Sequence, residues 1–191
     1  MNVYDFDGTI YRRDSSADFV LFCLRRHPAL LSSVPAMAGA ALRMRSGRIS
    51  KTQMKQVIFS FLRRLDDPEA MVERFWEGHL DRMHAWYATT HRPDDVVVSA
   101  SPEFLLRIPC EHLGVGTVIG SRVDGRTGEF AGKNCHGPEK VRRFRAMFPT
   151  ATVESFYSDS LSDAPMAAIA QRAFMVRGER LDPWPTPQER R

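Results

Sequence analysis

A handful of side chains in this sequence have the types and positions needed for chemistry on an anionic group. Asp5, Asp7 and Thr9 come at and just after the short apolar segment at Val3-Tyr4, and Ser99 and Ser101 close the run Val96-Val97-Val98. Asp159 and Asp163 follow the segment from Thr152 to Tyr157, and Lys140 lies about one turn into a helix opened by Gly137-Pro138. Carboxylates crowded together repel one another unless a cation neutralises them, and a hard, oxygen-rich donor set suits Mg²⁺. Carboxylates and a metal would then act on an anion that the hydroxyls and the ammonium hold. Each residue has a plainer reading as well. Ser99 can cap a helix, and Asp163 can cap the one entered at Ala164-Pro165. Asp14 fits a surface turn. Lys133 competes with Lys140 as the ammonium, and His136 has the exposed start of a helix as its default.

Those residues converge only if the elements behind them share one edge. Val3 to Phe6 reads as a very short strand ended by Gly8, and Val96 to Ser99 as a buried parallel strand, β-branched and apolar on both faces. Thr117-Val118-Ile119, Thr152 to Tyr157 and Ala173 to Val176 predict further strands. Helices are expected from Ser101-Pro102, from Gly137-Pro138 through Phe148, and from Asp163 to Gln171. Asp124-Gly125 marks a hairpin tip between Arg122-Val123 and Thr127 to Phe130. Strands alternating with helices predict an α/β fold, a doubly wound parallel sheet whose ligands bind beyond the carboxyl ends of the strands. The block 15–91 is helical throughout. Ser15 or Ser16, Ser50 and Asp67-Pro68 are its start signals. The expected organisation is a core of 1–14 and 92–181, a helical insertion of 15–91, and an irregular tail of 182–191.

Composition bounds the function classes. The chain has 191 residues, 43% of them hydrophobic and 26% charged, which excludes disorder and leaves room for one domain plus a modest insertion. The net charge of +4 suits an anionic partner without selecting one. Cys23, Cys110 and Cys135 form no CxxC pair, so reduced thiols in a cytoplasmic protein are expected. The acidic N-terminus lacks the apolar run of a signal peptide, and Ala29 to Leu42 is shorter than the ~20 residues that span a bilayer. Basic residues are interspersed rather than striped, so nucleic acid is not an expected partner.

Asp5-Phe6-Asp7-Gly8-Thr9 resembles the DxDGT signature of the haloacid-dehalogenase-like phosphohydrolases. Ser99 after an apolar strand, then Lys140, then the pair Asp159-x-x-x-Asp163, resemble the family's remaining motifs in order. The resemblance implies a Rossmann-like core with a helical cap between the first two motifs, as in the phosphoserine-phosphatase-like branch. It also implies phosphoryl transfer through a covalent intermediate. Asp5 would be the nucleophile, and Asp7 the acid and then the base. Thr9, Ser99 and Lys140 would hold the phosphoryl oxygens. Mg²⁺ would be bound by Asp5, the backbone carbonyl of Asp7 and Asp159. Asp163 would orient Lys140 or metal-bound water, and Asp14 matches an acidic position used for substrate contact.

Two segments depart from the phosphoserine-phosphatase pattern: Ser99-Ala100-Ser101-Pro102, and Ser158-Asp159-Ser160-Leu161-Ser162-Asp163. With Cys135 to Val141 they resemble the bacterial phosphatidylglycerophosphatase C group, which implies a phospholipid head-group phosphate as substrate. Arg25, Arg26 and His27 before the apolar run, with Arg43, Arg45, Arg48 and Lys51 after it, suit peripheral contact with an anionic membrane at its inner face. The competing reading puts the apolar side chains in the insertion's own core. A soluble metabolite such as phosphoserine is the alternative substrate, and a non-enzymatic or regulatory binder the second alternative. The oligomeric state has no signature in the sequence.

Overall fold

The computed structural model of the protein describes residues 1–185. After β1 (Asn2–Tyr4) the chain makes five helices: α1 (Ser15–Arg26), α2 (Val34–Arg45), α3 (Lys51–Phe59), α4 (Pro68–Glu77) and α5 (Ala85–Thr90). It then alternates β2 (Val96–Pro102), α6 (Glu103–His112), β3 (Thr117–Ser121), α7 (Pro138–Met147), β4 (Val153–Ser158), α8 (Ala164–Ala167), β5 (Ala170–Arg177) and β6 (Arg180–Pro183). The sheet order is β3-β2-β1-β4-β5-β6. Neighbours are parallel except β6, which returns antiparallel along β5. This is the expected α/β architecture with a helical cap, extended by one antiparallel edge strand.

Alternation along the strands sorts the core into two faces. Val3, Val96, Val98, Ile119 and Phe156 point to the side covered by Phe144 of α7 and Met166 of α8. Tyr4, Val97 and Tyr157 point to the other side, into one continuous cluster with Leu105 and Leu106 of α6 and with Phe19, Phe75 and Trp76 of the cap. The cap is therefore welded to the core by aromatic packing. The Trp76 indole also donates to the Leu105 carbonyl at 2.7 Å.

Several elements depart from the sequence reading. β1 ends at Tyr4, so Asp5 and Phe6 lie past the last paired residue. β2 continues to Pro102 with a register break between Val98 and Pro102, which places Ser99 and Ser101 in an irregular strand end, with the next helix starting at Glu103. The helix expected over Asp163–Gln171 is only one turn long, because Ala170, Gln171 and Arg172 join β5. The hairpin at Asp124-Gly125 shrinks to a single Val123–Phe130 bridge. There Gly128 takes a positive φ of 75°, and a Cβ would lie 2.2 Å from the Phe59 carbonyl oxygen. The expected irregular tail begins too early, since Asp182 and Pro183 pair with Met175 and Phe174; residues 186–191 lie outside the described residues.

The start signals are mostly local and hold up. Ser50 and Gln53 form a reciprocal capping box on α3, and Asp67 caps α4 with Pro68 in its first turn. At α1 the cap is Asp14 rather than Ser15 or Ser16; its carboxylate accepts the Ala17 N–H at 2.8 Å. The apolar run breaks between Ser33 and Val34, with Pro35 in the first turn of the helix that follows. A 3-10 turn (Pro28–Ser33) precedes α2, burying Leu30, Met37 and Ala40 while Leu31, Val34 and Leu42 stay exposed. Among the described residues no helix is long and apolar enough to cross a membrane.

Candidate active site

β1 lies between β2 and β4, so strand order reverses beside it, and a crevice opens at the carboxyl ends of such strands. The Asp5 N–H still donates to the Tyr157 carbonyl at 2.9 Å, which carries Asp5 to the rim beside β4. The chain then folds tightly, with the Phe6 carbonyl accepting the N–H groups of Thr9, Ile10 and Tyr11. Gly8 makes this possible. Its φ is +69°, and a Cβ there would lie 2.1 Å from Asp159 Oδ2. The buried Thr9 hydroxyl accepts the Asp159 N–H at 3.0 Å, fastening the first loop to the loop after β4.

At the foot of the crevice, Lys140 is 1% exposed. Its Nζ lies 2.9 Å from Asp5 Oδ1 and 2.6 Å from Asp163 Oδ2. Burial disfavours the ammonium, but the two carboxylates outweigh burial and raise its pKa above the ordinary lysine value. Burial lifts the Asp5 carboxyl to about 7 against the opposing pull of Lys140, with Asp163 and Asp7 adding to the rise. Asp163 Oδ2 also accepts the Ser158 hydroxyl at 2.8 Å, while Oδ1 is buried with no hydrogen-bond partner. Asp163 makes no side-chain cap on the helix it precedes, so its carboxylate serves the crevice instead. Lys133 is elsewhere. It lines a separate groove near Arg122 and Met147, and its carbonyl accepts from Arg143.

Asp7 is held from both sides. Oδ1 accepts the Ser15 N–H at 2.7 Å and Oδ2 the Ser101 hydroxyl at 2.5 Å. Burial and then the Asp14 carboxylate raise its pKa, which favours a carboxyl that carries a proton. Ser99 is fully buried and its hydroxyl accepts the Ser101 N–H at 3.1 Å. Ser101 also touches Ser15 and Ser16, so the irregular end of β2 meets the first turn of the cap at this point.

The resulting cleft has a volume of about 430 Å³ and brings together Asp5, Asp7, Asp14, Ser99, Lys140, Asp159 and Asp163. Of the residues singled out in the sequence, Thr9 stands just behind the wall and Lys133 is absent. Sequence reading missed Lys51 and Lys55 as cleft residues, along with Arg12, Arg13, Ser160 and Ser162. The available signal was positional: Lys51 and Lys55 are one turn apart at the start of a well-capped helix. Among the described residues no three His, Cys, Asp or Glu side chains group as a metal cage. The donors that do face the cleft, the Asp5 and Asp159 carboxylates, are all oxygen. Asp159, whose pKa burial raises, abuts the Cα of Gly8, where any side chain would intrude. That set fits Mg²⁺, which takes one or two carboxylates and keeps water in its remaining positions.

Residues 3–168 match the family model described as haloacid dehalogenase-like hydrolase. Among curated proteins, "Protein CicA" of Caulobacter vibrioides is 29% identical, with 87% of this chain and 81% of that protein covered. A Bordetella pertussis protein of unknown function has a similar structure, with a TM-score of 0.78 at 20% identity over 100% of this chain and 92% of that one. A phosphoserine phosphohydrolase-like protein from Francisella tularensis aligns with a TM-score of 0.59 at 14% identity, over 92% of this chain and 87% of its own. At these identities the likeness of structure is one of fold.

Proposed function

The chain belongs to the haloacid dehalogenase-like hydrolases, and from that premise we propose that it hydrolyses phosphate monoesters through phosphorylation of Asp5. The observation that carries this reading is the buried Asp5–Lys140–Asp163 cluster at the foot of a cleft shared with Asp7. A carboxylate fixed by Lys140 and by the Phe6 N–H, 2.8 Å from Asp5 Oδ1, is oriented for attack. Its oxygen bonds to phosphorus as the ester oxygen leaves. Asp7, fixed by Ser15 and Ser101, gives that oxygen its proton and later takes one from the water that hydrolyses the acyl phosphate. Ser99 and Lys140 hold the phosphoryl oxygens, Asp163 positions Lys140, and Thr9, expected from the sequence to join them, instead fastens the Asp159 loop from behind the wall. Asp5, Asp159 and the Asp7 carbonyl would hold Mg²⁺, which when bound offsets the negative charge shared by nucleophile and phosphoryl group.

The charged lining of the cleft suits a small, soluble phosphate ester such as phosphoserine, with Asp14 reaching the part of the substrate beyond the phosphate. One observation favours a second reading, a phospholipid head-group phosphate such as that of phosphatidylglycerophosphate. Leu31, Val34 and Leu42 are exposed on the cap, with Arg43 and Arg45 in the last turn of α2, which suits peripheral contact with an anionic bilayer. A Mg²⁺-dependent phosphate-release screen of both ester types, run with Asp5→Asn as control, tests the proposal. An Asp5→Asn protein that releases phosphate at the wild-type rate would overturn the covalent mechanism, and a wild-type protein that releases phosphate from no ester would return the chain to the class of binding proteins. Failure to sediment with anionic vesicles at low salt would remove the lipid reading.

A further inference from the structure

At the foot of the cleft one ammonium is paired with two carboxylates. The cap wall is different. α3 presents Lys51 and Lys55 to the cleft, one turn apart, and His136 lines it from the segment before α7. Lys55 is half-buried, and its Nζ donates to the Ala100 carbonyl at 2.8 Å, beside Ser99. Among the described residues neither Lys51 nor Lys55 makes an ion pair. Asp7, Asp14 and Asp5 favour the Lys55 ammonium through space, but none of them is in contact with it, Asp7 being held by Ser15 and Ser101 and Asp14 by the Ala17 N–H. Burial and the neighbouring Lys51 still outweigh those acids and hold the Lys55 pKa below the ordinary lysine value, so an anion in direct contact would stabilise the ammonium. Burial, with Lys51, Lys140 and Lys55, keeps His136 below the ordinary histidine pKa where it lines the cleft.

We propose that Lys51, Lys55 and His136 form a second anion subsite, and that the substrate is a phosphate monoester carrying a further anionic group, a carboxylate or a phosphodiester, on its leaving-group side. This rests on the phosphatase reading and narrows its substrate class. The test compares kcat/KM within matched pairs on the wild-type enzyme with Mg²⁺. Phosphoserine differs from phosphoethanolamine by its carboxylate, and the deacylated head group of phosphatidylglycerophosphate, glycerophosphoglycerol phosphate, carries a phosphodiester that glycerol 3-phosphate lacks. At least one anion-bearing partner is expected to win by on the order of tenfold, chiefly through KM, and the winning pair identifies the anion. Lys55→Gln should collapse that ratio and Lys55→Arg restore most of it. Ratios within about twofold in both wild-type pairs would overturn the inference while leaving the phosphatase reading intact, as would a preference that survives in a Lys51→Gln/Lys55→Gln protein. Hydrolysis of none of the four esters would overturn both. Should the lysine variants fail to fold, the wild-type ratios alone decide.

Discussion

On the core wall of the cleft, Lys140 is 1% exposed and sits between two carboxylates supplied by the ends of β1 and β4. On the cap wall, Lys55 is half-buried and has a backbone carbonyl as its hydrogen-bond acceptor. The core lysine is part of a closed electrostatic unit that exists without any ligand, whereas the cap lysine leaves donors unused. Buried charges persist when paired, and a charge kept near an open cleft without a partner is a means of recognition. On the proposed function the core wall would hold what every phosphate ester shares, and the cap wall what distinguishes one ester from another.

Substitutions can break this contrast, in descending order of effect. Asp5→Asn should lower kcat on an aryl phosphate by about 10⁴-fold or more while circular dichroism stays native, since removing a nucleophile disables the whole unit. Lys140→Met strands two buried carboxylates and should cost about 3 kcal/mol in urea unfolding, as well as activity. Gly8→Ala forces a positive φ on a residue with a Cβ, 2.1 Å from Asp159 Oδ2, and should cost about 1–3 kcal/mol in stability together with a weakened Mg²⁺ response. Lys55→Gln breaks one hydrogen bond to a carbonyl and should cost only about 1 kcal/mol, which a thermal melt beside Lys140→Met would measure. A Lys55→Gln loss as large as that of Lys140→Met would erase the distinction between the walls.

The smallest effect concerns how the cap is hung. Glu179, at the tip of the β5–β6 hairpin, takes Arg12 Nη2 at 2.9 Å and His84 Nδ1 at 3.0 Å. It also accepts the Trp86 N–H at 3.3 Å. Arg12 belongs to the segment leading into the cap, and His84 and Trp86 to the segment leading out. Glu179→Gln should speed amide exchange near 84–86 with the sheet unchanged. Unchanged exchange there would mean that the aromatic packing of Trp76 and Phe19 alone fixes the cap.

The core wall was legible in the sequence because its residues sit at the ends of apolar runs. Asp5, Asp7 and Asp159 each follow a strand and Ser99 lies in the irregular end of β2, and strand ends in a doubly wound sheet converge by topology alone. The choice between Lys140 and Lys133 was not, since it depends on which face of α7 turns inward and on where the segment before α7 runs. The cap wall was hidden for a related reason: Lys51 reads as one of the basic residues suited to an anionic membrane and Lys55 as a solvated helix position until α3 is docked on the core, where both line the cleft. Local chemistry marked Ser50, Asp67 and Pro35, but the one-turn α8 followed from strand pairing. Ala170 to Arg172 are recruited by β4, and that tertiary pull overrides the helical pattern.

Trapping the covalent intermediate tests the central claim most directly. The protein is quenched during turnover of an aryl phosphate with Mg²⁺, reduced with borohydride to convert an acyl phosphate into homoserine, and digested for mass spectrometry. Homoserine at position 5, absent without substrate and absent in Asp5→Asn, is the expected result. Steady turnover with Asp5 unmodified, or the modification appearing at Asp7 or Asp159 instead, would contradict the account.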